Sequence, residues 1–316
     1  MSSLTKSMKQ SAPEKALRAK RGAQRKDIML LTCMLLPSFI YYIVFHYLPM
    51  CGIVIAFKDY TYSGGMFGSD WNGFKNFEYF FTSTDAWVIT RNTILYNLVA
   101  IVSTVTTNVA IALVLFEVSS RKALKYYQTT MLLPNFMSWV VVSYITYALF
   151  DYDYGVINHM FGTDINFYAE PVYWPFILSF VNVWKGIGMG SVMYYAALMG
   201  IDTELFEAAK IDGANKWQQI WHISIPSLKN IMAVLIIMGT GNIFRGDFGL
   251  FYQIPMDVGN LYSVTDVIDT YVYRGLSGGE YGSTAAVGLF PSVVGLFTII
   301  CANSVVKKIS PESAMF

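Results

Sequence analysis

Six long stretches of this chain carry almost no charge, and that pattern removes most folds from consideration. Residues 28–57, 92–116, 126–150 and 281–306 contain no Asp, Glu, Lys or Arg. Residues 171–201 are interrupted only by Lys185, and residues 230–252 only by Arg245 and Asp247. A helix needs about 20 mostly apolar residues to cross ~30 Å of hydrocarbon. Backbone N–H and C=O groups cannot be left unpaired in lipid, so long apolar runs are expected as helices. The expectation is an all-α integral membrane protein with six transmembrane helices. Composition agrees: 14% of residues are charged, against about 25% in an average soluble domain. The first stretch is too long for a secretory signal and lacks a small-residue cleavage site, so it reads as an anchor.

Lysine and arginine set the orientation. Residues 1–27 hold Lys6, Lys9, Lys15, Arg18, Lys20, Arg21, Arg25 and Lys26, and the second connection holds Arg121, Lys122 and Lys125. The third connection, 151–170, has four acids and no lysine or arginine, and the fifth has only Arg274 against four acids. Both termini and the even-numbered connections are therefore expected in the cytoplasm. This divides the chain into a basic cytoplasmic segment (1–27), a six-span domain (28–306) and a cytoplasmic tail (307–316). The basic segment suits an orientation signal and contact with membrane lipid. A net charge of +1 gives no reason to expect a nucleic-acid partner.

The fourth connection is patterned far beyond the needs of a loop. It reads ELFEAAKIDGANKWQQIWHISIP from Glu204 to Pro226. Asp202 is placed to cap a helix beginning near Thr203. Gly213 can take a left-handed conformation and end it. A second helical turn is expected near Asn215, with Trp217, Ile220 and Trp221 on one apolar face. Pro226 is expected to break this segment from the next span. A helix, a sharp turn and a second helix against the membrane suit a docking element. The acidic first half disfavours the alternative, a hairpin lying on anionic lipid.

Glu207-Ala208-Ala209, Gly213, Ile223 and Ile225-Pro226 resemble, in type and spacing, the E-A-A-x3-G-x9-I-x-L-P pattern of ATP-binding-cassette importer permeases. Ile225 stands where that pattern has Leu. The Asn92-Thr93 opening, Leu133-Pro134 and the order of six spans resemble the maltose-type carbohydrate uptake permeases. DFGLFYQIP (247–255), YSVTDVIDTYVYR (262–274) and SPESAMF (310–316) resemble the branch associated with complex oligosaccharides from polysaccharide breakdown.

The resemblance implies a multi-pass permease subunit of the bacterial cytoplasmic (inner) membrane, moving oligosaccharides by alternating access. It implies a second homologous permease, two cytoplasmic ATPase subunits and an extracytoplasmic sugar-binding protein as partners. It makes residues 202–226 a coupling loop, with Glu207, Ala208, Ala209, Gly213, Ile223 and Pro226 contacting the ATPase. No G-x-x-x-x-G-K-[ST] loop is present, so ATP is expected on the partner subunits and this chain is expected to bind no cofactor and catalyse nothing. Alternatives are a permease for a peptide or osmolyte, or a membrane-embedded enzyme. The clean spans carry no cluster of carboxylates or histidines that would serve the latter.

Polar residues within the spans are the substrate-path candidates, because they are costly in lipid. Asn182 and Lys185 share a helical face beside Trp184. Lys185 reads as a path residue, a contact with the second permease, an ion pair or a snorkelling side chain. Tyr194 reads as a sugar contact or a packing residue. Asn242 and Arg245 fall in the expected outer half of the fifth span, where Arg245 would pair with Asp247 or meet an acidic sugar. Gly186 and Gly190 allow close helix approach, expected against the second permease. Aromatics in the first outer connection form an interfacial belt or a stacking surface for sugar rings. The three histidines fall on both sides of the membrane, and the three cysteines lie in apolar stretches, so no metal centre is expected.

Overall fold

The computed structural model describes Lys26 and residues 28–309. The basic segment before Lys26 and the SPESAMF tail lie outside these residues. Backbone contacts divide the chain into two units, 1–54 and 55–316. The first unit is helical, with a wide π-turn at Ile43–Tyr47 just before Pro49. A proline lacks the N–H that continues an α-helical ladder, and a wider turn accommodates it. Ile28–Phe57 is long and apolar enough to cross a membrane, and the hydrophobic window within it is nowhere buried by the chain.

Four more helices pass the same test: Thr84–Phe116, Pro171–Leu198, Lys216–Gly241 and Tyr281–Lys308. The second span starts earlier than its charge-free core. Ser83 caps it by accepting the Ala86 N–H at 3.2 Å, and Asp85 sits in the positive first turn. The third span is broken. Arg121–Phe136 and Trp139–Phe150 meet at 97° instead of forming the single helix expected over 126–150. Pro134 lies in the last turn of the first half, which closes with Met137 N–H on Pro134 O. Ser138 then restarts the helix by capping Val141 N–H at 3.3 Å.

The fifth span departs from expectation at both ends. It begins at Lys216, so Pro226 is inside it and separates nothing. A π-turn at Ile220–Ser224, with Ile225 N–H bonded to Ile220 O, precedes the proline and relieves the clash. The helix ends at Gly241, which leaves Asn242, Arg245 and Asp247 in an irregular outer segment rather than in the span.

Beyond the first span, a two-residue antiparallel pairing (Lys58↔Trp71, Asp59↔Asp70) closes the outer connection. Phe57 stacks on Trp71 at 5.8 Å there, and Trp71, Phe67 and Phe74 remain exposed. Three cores hold the second unit, one of them joining Phe80 and Ile89 to Ile268 and Val287. The outer one surrounds the fully buried Trp174, whose indole N–H donates to Phe167 O at 2.7 Å. The inner one joins Val109 and Ala112 of the second span to Tyr194, Leu198 and Leu228.

Gly188 and Gly190 of the fourth span make room for this chain's own helices. A Cβ on Gly188 would lie 2.1 Å from Met131 O, and one on Gly190 would lie 1.9 Å from Asn108 Nδ2. A Cβ on Gly186 would meet nothing within 4 Å. Gly188→Ala is therefore expected to lower the thermal midpoint of the detergent-solubilised protein, while Gly186→Ala leaves it unchanged. Overpacking typically costs about 1–3 kcal/mol. Equal midpoints for the two variants would show that the Gly188 contact is not a packing constraint.

Candidate functional site

The fourth connection folds as a rigid hairpin. Asp202 Oδ1 accepts Glu204 N–H at 3.0 Å and opens the helix Thr203–Ile211. Gly213 follows with φ +83°, and Ala214 N–H reaches back to Ala209 O at 2.8 Å. This left-handed termination favours glycine. A capping box then starts Lys216–Gln219: Gln218 N–H donates to Asn215 Oδ1 at 2.9 Å, and Asn215 N–H to Gln218 Oε1 at 2.7 Å. The pair Asn215…Gln218 has the spacing of such a box, a signal the sequence reading did not use. Gln219 is buried and fastens the turn from inside, its Nε2 donating to Ala214 O at 3.0 Å.

The hairpin presents an outward surface. Glu207 and Ala208 are exposed, Ala209 is half-buried, and Ile211 and Trp217 are 87% and 71% exposed. Ile223 is half-buried within the fifth span's first turns, and Pro226 is exposed beside it. Exposed apolar groups rimmed by charge mark a surface made to be covered.

Two of the cavities along the fourth span also touch the fifth span or the segment just after it. The larger, about 420 Å³, is lined by Thr104 and Asn108 of the second span, Gly186, Met189 and Tyr194 of the fourth, and Gly239 of the fifth. Two of the residues bordering it hold a fully buried polar atom with no hydrogen-bond partner among the described residues, Asn108 Oδ1 and the Tyr194 hydroxyl. Unsatisfied buried polar groups are rare and call for a ligand, ion or water. The smaller, about 70 Å³, is lined by Tyr96, Asn97, Ser179, Asn182 and Asp247 among others. The Tyr96 hydroxyl is likewise buried and unpartnered.

The remaining candidates go elsewhere. Among the described residues Lys185 joins no ion pair, and its ammonium turns inward rather than snorkelling. Its ammonium donates to Met137 O at 2.8 Å and Asn135 O at 3.0 Å, reaches Pro134 O at 3.4 Å, and lies 5.0 Å from the Trp139 ring centroid. It caps the break in the third span. Trp184 packs against the outer core. Asn242 is exposed and bonds Met238 O in its own last turn at 3.2 Å. Arg245 donates to Ser292 Oγ at 3.1 Å rather than pairing with Asp247, whose Oδ1 accepts Gly249 and Leu250 N–H. The six candidates thus divide: Asn182 and Tyr194 line cavities, and Trp184, Lys185, Asn242 and Arg245 do not. Tyr96, Asn97 and Asn108 were missed, although asparagines within a charge-free span were the available signal.

On the outer side a buried polar network fastens the fifth connection to the second span. Arg274 lies 4.0 Å from the Tyr262 ring centroid, 3.1 Å from Asp257 Oδ1 and against Asp266 Oδ2. Burial pushes the Asp266 carboxyl up, and its bonds to Thr270 and Arg274 oppose that rise. Asn92 Nδ2 donates to Asp266 O at 3.0 Å, and Ile268 N–H donates to Thr93 Oγ1 at 3.1 Å. The Asn92-Thr93 pair is thus the anchor point of the outer loop.

Residues 91–311 match the model of the family described as binding-protein-dependent transport system inner membrane component. The chain belongs to that family: it is a permease of the ATP-binding-cassette importer class, a multi-pass transport component of the inner membrane. Among characterised relatives, protein LplB of Bacillus subtilis (strain 168) is 36% identical over 284 residues, covering 88% of this chain and 89% of its own. The polygalacturonan/rhamnogalacturonan transport system permease protein YteP of the same organism is 35% identical, covering 88% of each. A chain in the crystal structure of a bacterial ABC transporter involved in the import of the acidic polysaccharide alginate superposes with a TM-score of 0.83. It is 32% identical and covers 93% of this chain and 99% of its own.

Lys185→Met is expected to strand the carbonyls at the break. A buried acceptor left without its donor costs about 1–3 kcal/mol. The thermal midpoint and the uptake rate should both fall. Lys185→Arg, which keeps a donor and a charge, should recover part of each. Wild-type behaviour of the Met variant in both measurements would rule out the capping role.

Proposed function

We propose that this chain is the oligosaccharide-conducting permease subunit of an importer whose ATPase subunits dock on the hairpin at residues 202–226. One observation carries the reading: a rigid, outward-facing hairpin is continuous in sequence with two of the three spans lining the larger cavity. Glu207 supplies a fixed charge for a basic groove on the ATPase. Ala208 and Ala209 allow close approach, and Gly213 sets the turn. Ile223 and Pro226 lie where the hairpin passes into the fifth span, and movement of the hairpin is delivered there. ATP is held by the partner subunits, and this chain needs no cofactor of its own.

The cavity is mostly apolar, walled by Met, Gly and aliphatic side chains, with the half-buried Thr104 hydroxyl among them. Such a few-polar-groups-in-an-apolar-wall arrangement is typical of small-molecule sites. Support for an oligosaccharide also comes from the relatives named for polygalacturonan/rhamnogalacturonan and alginate transport. A structure of the alginate transporter in complex with a pentasaccharide-bound periplasmic protein supports a sugar-binding protein as the delivering partner. A second permease would complete the pathway.

The test is uptake in proteoliposomes holding the whole complex, with labelled acidic and neutral oligosaccharides and a dipeptide as control. Oligosaccharide should enter in an ATP-dependent manner and the dipeptide should not. Glu207→Lys and Gly213→Asp should each reduce uptake per ATP hydrolysed by roughly tenfold or more, within the range of measured coupling energies. Unaltered uptake in both variants would refute the docking role, and dipeptide uptake without oligosaccharide uptake would refute the substrate class.

A further inference from the structure

We propose that Phe206 and the Glu117–Lys216 pair form a strut that couples the second span to the docking hairpin, so that all three cavity walls move with it. The inference rests on the reading of residues 202–226 as the ATPase-docking element. The fourth span runs into the hairpin at Leu198, and the fifth leaves it at Lys216. The second span has no such chain connection: it ends at Phe116, far away in sequence. Yet it contributes Ala100, Thr104 and Asn108 to the larger cavity. The second span packs along the fourth through the inner core, and what a direct link to the hairpin would add is a hold at its cytoplasmic end.

The structure closes that gap at two points. The Phe206 ring lies 5.7 Å from the Phe116 ring, and Phe116 is packed against the inner core that holds Val109, Tyr194 and Leu228. Lys216 Nζ lies 2.5 Å from Glu117 Oε2. Phe206 is on the hairpin's first helix and Lys216 opens its second, so the contacts fall on either side of the Gly213 turn. One contact would leave a pivot, whereas two fix a direction. The ion pair is exposed, with side chains 59% and 45% accessible, so by itself it holds little. Its role is to set orientation while the ring contact resists separation. These are positioning residues, distinct from Glu207, Ala208, Ala209, Gly213, Ile223 and Pro226, the hairpin residues assigned to the ATPase contact.

The experiment uses the complete complex in proteoliposomes and reads ATP hydrolysed per oligosaccharide imported. Phe206→Ala is expected to raise that ratio about fivefold, the low end of measured coupling effects. Glu117→Lys and Lys216→Glu should each raise it by a smaller factor, and the double exchange Glu117→Lys with Lys216→Glu should restore it. Rescue by exchange is an outcome that a general loss of packing would not give. A second measurement needs no destabilising variant. Spin labels at the exposed Ser119 and Lys210 should report the same distance with and without trapped nucleotide, because the strut holds both as one body. A distance that changes between the states overturns the proposal. So does an unchanged ATP-to-sugar ratio in all three single variants, measured where Glu207→Lys still uncouples; the docking reading then stands without the strut. If Glu207→Lys also has no effect, the docking reading fails, and the strut with it.

Discussion

One ammonium group decides the shape of the third span. The break between Phe136 and Trp139 turns the chain by 97° and frees carbonyls of the last helical turn. Water is not available within a bilayer to satisfy them, so the protein must. Lys185 does so by reaching from the fourth span to Asn135 O and Met137 O. A cation at a helix C-terminus also meets the negative end of the peptide dipoles. The same contact accounts for a lysine in an otherwise clean span: its cost in lipid is offset by what it caps. Gly188 complements it one turn on, letting the fourth span touch the backbone of Met131. With the third and fourth spans fastened together in this way, the fourth can serve as a cavity wall.

Function then follows from what is left unsatisfied. Lys185, Arg274 and Asn92 have their partners, and they build structure. Asn108 Oδ1, the Tyr194 hydroxyl and the Tyr96 hydroxyl have none among the described residues, and all three belong to residues lining cavities. The distinction separates the polar groups that hold the spans from those closed into the seams behind the cavities, which a change in helix packing would uncover. The hairpin follows at the inner end of the same spans, its caps closed internally and its outer face bare.

Much of this was legible in the chain, for identifiable reasons. Charge-free stretches located the spans because lipid tolerates so few exceptions. Asp202, Gly213 and the Asn215 turn were readable because caps and left-handed turns demand particular side chains. Ends of spans were less legible. Pro226 looked like a boundary, but a π-turn absorbs it, and no residue type announces a π-turn. Gly241 looked internal, but the helix stops there and puts Asn242 and Arg245 outside the span. The substrate path was the least legible part. A polar residue in a span announces only that it needs a partner. Whether that partner is a carbonyl, as for Lys185, or a cavity, as for Asn182, depends on contacts between residues tens of positions apart.

The proposed function requires the cavity between the second, fourth and fifth spans to open to one side of the membrane at a time as the partner subunits bind ATP. Met189 lines it and is half exposed. A single cysteine at Met189, in a chain with Cys33, Cys51 and Cys301 replaced, reports access directly through a membrane-impermeant thiol reagent. In the assembled complex it should label from the cytoplasmic side without nucleotide and from the outer side with ATP trapped. Labelling from the same side in both states would contradict alternating access at this cavity.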